Sequence, residues 1–379
     1  MRLDHWWAGA RGTGRFVTVA FDCTRRGADA QRGIDLRWKA IRDDLHHRQV
    51  PAEVLDDLAE RLTTERGPGG PVGRLVVADL TTGRRPAVVV DEWLPEPPPE
   101  GDTTCCGPVP DLRLLARAVQ RHPAHLTAVL DRGGAHLGVH PVLAVQPITE
   151  RVDGDHEILH KVRTGDASQQ RLQRRADDSW QHNAAAVAQR LAELCREHDP
   201  VAIILSGDEH ACSWLRREAS SDVKRLLITP PDGTPAGAEG GERHSLDTVI
   251  SKDVETALAD FLQYEGRQDR AAQGRGPVAA ALRRGQVSRL LVVDRPTSES
   301  TVDVAPDGLP VVEEDVDGEP VPTAAALLAG GAATAAEITL VPEEAGIVDG
   351  VGAVLRWSDA GTPQDSARSM PGHGEGGGW

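Results

Sequence analysis

The chain is poor in lysine: of its 42 basic residues only Lys39, Lys161, Lys224 and Lys252 are lysines. Alongside abundant Ala, Gly, Arg and Pro, this imbalance reads as the imprint of a GC-rich genome rather than as chemistry. No apolar run approaches the roughly eighteen residues a membrane-crossing helix needs, and residues 1–14 hold neither an apolar signal core nor a small-residue cleavage site. A cytoplasmic protein with no membrane partner is expected. The five cysteines (Cys23, Cys105, Cys106, Cys195, Cys212) form no C-x-x-C pair, and adjacent Cys105 and Cys106 do not suit paired zinc ligation, so reduced thiols are expected. There is no phosphate loop of the G-x-x-x-x-G-K-[ST] type, and Gly9 to Gly14 lacks the strand-turn-helix setting of a dinucleotide loop. Neither nucleotide hydrolysis by a motif of its own nor a cofactor is expected.

The 379 residues carry a net charge of −16, which argues against a general nucleic-acid coat, and no DNA partner is expected. The charge is unevenly spread. Residues 296–355 contain no Lys or Arg but twelve acids, including Glu313, Glu314, Asp315, Asp317 and Glu319. Residues 161–175 hold five basic side chains against one acid, Asp166. If one face meets RNA, the second stretch supplies it.

Hydrophobic periodicity predicts an α/β protein of three domains, each a mixed sheet with packed helices. In the first (1–122), FVTVAF at 16–21 alternates as a strand. Helices follow through Ile34, Trp38, Ile41 and Leu45, and through Val54, Leu58 and Leu62. Residues 75–78 and 87–90 form a hairpin about Thr82-Gly83, and Leu112, Leu115 and Val119 mark a closing helix. In the second (123–243), a strand at 126–130 and a Gly133-Gly134 turn precede an apolar segment to 145. A polar strand ends near Val162, a loop spans 164–168, and a long helix runs through Leu172, Ala176, Trp180, Val187, Leu191 and Leu194. That spacing leaves Arg171, Arg174, Arg175 and Arg190 free to face outward. The buried strand 201–205, a Gly207 turn, a helix capped by Asp208 and a strand at 226–229 complete a doubly wound or three-layer sheet. Residues 230–242, rich in Gly, Pro and Ala, read as a linker. The third domain (244–357) has helices through Val249 to Leu262 and Val278 to Leu282, a strand at 289–293, the acidic insertion, and a final helix-turn-strand set. Residues 358–379 are expected to form a disordered tail.

His156-Glu157-Ile158-Leu159-His160 matches H-E-x-x-H, in which two histidines one helical turn apart bind zinc and the glutamate activates water. Its surroundings read as a strand, so metal ligation by His156 and His160 is the minor alternative. Ser206-Gly207-Asp208-Glu209-His210 gathers triad residue types, but a triad is assembled from distant positions and there is no G-x-S-x-G elbow. A capped strand-to-helix turn is the simpler expectation. The basic loop and helix combine Lys161, Arg163, Gly165, Ser168, Gln169, Gln170, Arg171, Arg174 and Arg175. Such a rigid cationic element suits an RNA-lined cleft read by phosphate contact and shape, although a solvated helix face has the same composition.

Four stretches resemble the bacterial branch of the archaeal and eukaryotic release-factor and Pelota superfamily, the branch of the Balon-like hibernation factors of actinobacteria. They are RFVTVAFDCTRR with GIDLRWKAIRDDL, VDEWLPEPPP to GPVPDLRLL, HLTAVLDRGGAHLG, and LVPEEAGIVDGVGAVLRW. The resemblance implies a release-factor-like middle domain whose loop reaches the peptidyl-transferase centre. In release factors that loop carries Gly-Gly-Gln; here the place reads Thr164-Gly165-Asp166-Ala167-Ser168-Gln169-Gln170. The glycine pair is missing, and Asp166 and Ala167 adopt glycine-like backbone poorly. The stop-codon motif Asn-Ile-Lys-Ser is also missing from the first domain. What the resemblance implies is therefore a non-enzymatic hibernation or stress factor in the A site of the 70S ribosome. It would contact rRNA near the decoding and peptidyl-transferase centres, with elongation factor Tu as a further partner. The alternatives are a peptidyl-tRNA hydrolase or rescue factor using Gln169 or Gln170, and, behind it, a zinc hydrolase.

Overall fold

The computed structural model describes residues 1–7, 14–27, 29–80, 88–131, 133–153, 166–231, 239–267, 269–294, 301–304, 319–359 and 362. In 166–180, 182, 239, 302–304 and 319–320 it describes the backbone alone. The architecture is α/β, with three principal sheets and helices packed on them. The chain forms two compact units: residues 1–92, 97–117 and 254–379 make the first, and residues 93–96 and 118–253 the second.

The chain opens with α1 (Asp4–Trp7), β1 (Phe16–Asp22), α2 (Ala30–His47) and α3 (Ala52–Ala59), which continues as a π-helical turn (Glu60–Thr64). Then come β2 (Gly73–Asp79), β3 (Val88–Leu94), β4 (Thr103–Gly107) and α4 (Arg113–Arg121). The sheet order is β3-β2-β1-β4, with β1 antiparallel to β2 and β4. Strand β1 is buried along almost its whole length because both its neighbours and the helices cover it. The expected turn at Thr82-Gly83 lies outside the described residues.

The middle of the chain supplies β5 (His125–Leu130), β6 (Gly134–His140), β7 (Ile148–Asp153), α5 (Asp166–His198), β8 (Ile203–Gly207), α6 (Glu209–Glu218), α7 (Ser221–Leu226), β9 (Leu227–Ile228) and α8 (Glu239–Gly266). Their sheet runs β7-β6-β5-β8-β9; β5 is antiparallel to β6 and parallel to β8. Alternation along β5 decides which layer each residue meets. Leu126, Ala128 and Leu130 pack with Val187, Leu191 and Leu194 of α5 and Leu215 of α6. On the opposite face Val129, with Ile204 and Ile228, packs against Leu246 and Ile250 of α8. Three layers result, as the sequence pattern predicts. α7, with its Ser220 cap, was not anticipated, and α8 begins inside the stretch that composition assigned to a linker.

The remaining elements are β10 (Ala271–Gln273), α9 (Arg275–Arg283), β11 (Val287–Val293), β12 (Thr301–Val304), β13 (Glu319–Pro322), α10 (Thr323–Ala333), β14 (Glu337–Val341) and β15 (Val351–Leu355). They give a mixed sheet of order β10-β15-β11-β14. β12 and β13 pair as an antiparallel ribbon at the two ends of the acidic insertion. Ala257 and Phe261 of α8 pack with Leu291, Val293, Val341 and Ile347. The first residue reaches β14: the Met1 ammonium donates to the Ile338 carbonyl at 2.9 Å, and the Ile338 amide donates to the Met1 carbonyl at 2.7 Å.

Candidate functional site

Of the residues expected to meet RNA, Lys161, Arg163 and Gly165 lie outside the described residues, as do His156 and His160 of the H-E-x-x-H segment. Ser168, Gln169, Gln170, Arg171, Arg174 and Arg175 are placed by backbone alone, in the first turns of α5. The helix starts at Asp166, so the expected loop through Ser168 is shorter than the sequence suggested. Asp, Ala, Ser and Gln are all compatible with a helix start, and neither Gly nor Pro interrupts the run. Arg190, expected to face mostly outward, pairs with β7. Its Nε donates to Glu150 Oε1 at 2.7 Å and its Nη2 to Glu150 Oε2 at 3.1 Å. A further bond, 3.1 Å from Nη1 to Glu193, completes a bidentate and same-helix pairing that raises the Arg190 pKa.

The turn at residues 206–210 is structural, as read from the sequence. Asp208 Oδ1 accepts from the amides of His210 at 3.0 Å and Ala211 at 3.2 Å, capping α6. Gly207 has φ +116°, and a Cβ there would collide with the Leu130 carbonyl on the adjacent strand. The five cysteines are free thiols. Burial pushes Cys23 up to about 12 against the pull of Arg74, and Cys105 up to about 11 with Asp111 adding to the rise. Neither has the accessible setting that makes a thiolate reactive.

A buried polar cluster among the described residues was missed in the sequence. His125 begins β5 and His140 ends β6, and the antiparallel register places them directly opposite one another. Their rings stack, centroids 4.2 Å apart at an interplanar angle of 20°. They lie on the face covered by α8, whose Glu242 reaches both: its Oε1 is 3.1 Å from His125 Nε2 and 3.6 Å from His140 Nδ1. The outer nitrogens are also engaged, His125 Nδ1 with the Pro123 carbonyl at 2.9 Å and His140 Nε2 with Thr127 Oγ1 at 3.4 Å. Gly138 makes room for this packing. A Cβ there would enter the van der Waals envelope of Thr127 Oγ1 and lie 3.2 Å from His140 Nε2.

Burial, reinforced by His125, pushes His140 down to about 4, so its ring is neutral at pH 7. Burial alone would raise the pKa of Glu242, but its hydrogen bond with His125 and the two rings hold it below the usual carboxylate value. His122, three residues before His125, is likewise pushed down to about 4 by burial, against the pull of Glu96.

Among the described residues no helix is long and apolar enough to cross a membrane. The family described as "Bacterial archaeo-eukaryotic release factor family 2" matches residues 124–275, from the start of β5 to the start of α9. The chain is 28% identical over 375 residues to the uncharacterized protein Rv2629 of Mycobacterium tuberculosis strain H37Rv, covering 93% of this chain and 96% of the relative. An uncharacterized protein of strain CDC 1551 of the same species, MT2704, matches to the same extent. Among solved structures, the archaeal translation termination factor aRF1 covers 94% of this chain and 99% of its own at 12% identity and a TM-score of 0.25. Dom34 of Saccharomyces cerevisiae covers 76% and 80% at 13% identity and a TM-score of 0.39. The segment of this chain that is similar to the bacterial release-factor family is thus residues 124–275, less than half of its length.

Proposed function

We propose that this protein binds the 70S ribosome in the cytoplasm and occupies its A site as a hibernation or stress factor, without hydrolysing peptidyl-tRNA. The observation that carries the reading is the release-factor family match over residues 124–275, which contains the whole of α5. On a chain of net charge −16, the start of that helix is where basic residues gather: Arg171, Arg174 and Arg175 follow Lys161 and Arg163. A local cationic element on an otherwise acidic protein favours one RNA contact over general adhesion. The same segment argues against catalysis, because Asp166 and Ala167 replace the flexible glycines that precede the release-factor glutamine. Elongation factor Tu is the escort this reading suggests for a chain without a nucleotide motif.

The test is co-sedimentation with 70S ribosomes across a salt series, for the wild type and for the triple variant Arg171→Ala, Arg174→Ala, Arg175→Ala. The wild type should pellet with ribosomes at low salt. The variant should bind more weakly, its log K against log salt slope shallower by roughly 2 to 3, since each lost phosphate contact removes about 0.7 to 0.9. Absence from ribosome fractions at every salt concentration would overturn the proposal. In a parallel assay with peptidyl-tRNA in the P site, peptide release should stay at the background rate. Release that disappears in Gln169→Ala, Gln170→Ala would instead establish the hydrolase reading.

A further inference from the structure

We propose that His125, His140 and Glu242 form a binding site for a divalent transition metal of the zinc class, clamping the first half of α8 onto the β5–β6 hairpin. The case rests on how protons must be distributed in this cluster. A carbonyl oxygen can only accept, so His125 Nδ1, 2.9 Å from the Pro123 carbonyl, must carry its proton and donate. In the neutral ring Nε2 is then bare, and this bare nitrogen faces the Glu242 carboxylate at 3.1 Å. Two lone pairs directed at one another repel, so a proton or a metal ion has to lie between them. His140 faces the same centre: its Nε2 meets the Thr127 hydroxyl, which can donate or accept, and its Nδ1 turns toward the same carboxylate oxygen at 3.6 Å. An outer nitrogen donating to a carbonyl or hydroxyl while the inner one points at a shared centre is how metal-binding histidines are oriented.

The ligand distances agree, once the stacked rings tilt to turn both lone pairs toward one ion. One ligand atom from each of the three residues lies within 4.8 Å of the others. Bonds of about 2.0 to 2.2 Å from zinc to nitrogen and oxygen imply ligand-to-ligand edges of roughly 3.4 Å, and the two measured edges, 3.1 and 3.6 Å, bracket that value. Two imidazoles and one carboxylate are a donor set that suits zinc, and cobalt as its spectroscopic substitute. Three protein ligands leave a fourth position for water. The site is built into the fold rather than lying on it. His125 is 7% and His140 11% exposed, the strand register sets the two rings opposite each other, and Gly138 leaves space for His140.

Full-length protein stripped with a chelator is titrated with zinc chloride by calorimetry, and bound zinc is counted by elemental analysis. One zinc per chain should bind, with increased hydrogen-exchange protection of the first turns of α8 and of β5 and β6. Cobalt chloride should give the intense visible absorption of a four-coordinate centre. Glu242→Gln preserves the packing, because its amide can donate to the bare His125 Nε2, and it should weaken zinc binding at least tenfold, as should His140→Ala. The double variant His156→Ala, His160→Ala should bind zinc as the wild type does. Failure of the wild type to bind zinc or cobalt would overturn the proposal, and the cation bridging His125 and Glu242 would then be a proton. Zinc binding that survives Glu242→Gln and His140→Ala but is lost in His156→Ala, His160→Ala would overturn it equally.

Discussion

Replacing Gly138 by alanine is the most direct probe of how tightly the β5–β6 hairpin is packed beneath α8. The backbone at this position is not left-handed, so alanine meets no conformational penalty, and loss of the flexible glycine from the unfolded chain should favour folding by about 0.5 to 1 kcal/mol. Packing opposes this. The new methyl would penetrate Thr127 Oγ1 and stand 3.2 Å from His140 Nε2, and Thr127 is buried between strands with no space to retreat. Overpacking of this kind costs roughly 1 to 3 kcal/mol, so Gly138→Ala should destabilise by about 1 to 2 kcal/mol net. Thr127→Ala alone removes the hydroxyl and its 3.4 Å contact with His140, costing about 1 kcal/mol. In the double variant the obstructing atom is gone, and Gly138→Ala should become nearly neutral. The coupling energy should therefore exceed 1 kcal/mol, well above the roughly 0.3 to 0.5 kcal/mol seen for independent sites. Native-state hydrogen exchange of the β5 and β6 amides reads this locally, which matters in a chain of two compact units. Additive effects would refute the assigned contact between Gly138 and Thr127.

Three further outcomes follow from the described contacts. In metal-free protein, His122 and His140 titrate near 4 when folded and near 6.5 when unfolded. The unfolded chain thus binds more protons between those values, and stability should hold above pH 6.5 and fall as pH drops from 6.5 to 4, by up to about 3 kcal/mol per ring. Urea midpoints that stay flat or rise on acidification would contradict this. Asp208→Ala should cost about 1 kcal/mol and loosen the first turn of α6 in hydrogen exchange, whereas Asp208→Asn should be close to neutral. Asp91→Ala leaves the buried guanidinium of Arg74 without its two bonds of 2.7 and 2.8 Å, and should cost about 3 kcal/mol in chemical unfolding. A loss below 1 kcal/mol would mean that Glu65, 2.6 Å from Arg74, is a sufficient partner.

The elements most legible in the sequence were those with a clear apolar pattern. β1, α2, α9 and β11 fall close to where alternation or helical spacing put them, and β8, buried on both faces, where a continuous apolar run put it. The Asp208 cap was legible for a local reason, since its partners are two and three residues away. The partner of Arg190, Glu150, lies forty residues away on β7, a separation on which helical periodicity is silent.

The histidine pair was closer to being readable than it looked. Counting outward from a four-residue turn at 131–134 brings His125 opposite His140, whereas a turn centred on Gly133-Gly134, as the sequence reads, sets it against Val142. No such route led to Glu242. It sits in AEGGERH, where two consecutive glycines and the preceding Pro-rich stretch speak for a linker. The helix forms there nevertheless, because Leu246 and Ile250 bury themselves against Val129, Ile204 and Ile228, and that tertiary burial outweighs the local cost of about 1 kcal/mol per helical glycine. A carboxylate carried in a segment of poor intrinsic helicity is held over two histidines by packing one turn further along. A further cation shared by the three side chains would bind the weakest part of that helix to the most rigid part of its sheet.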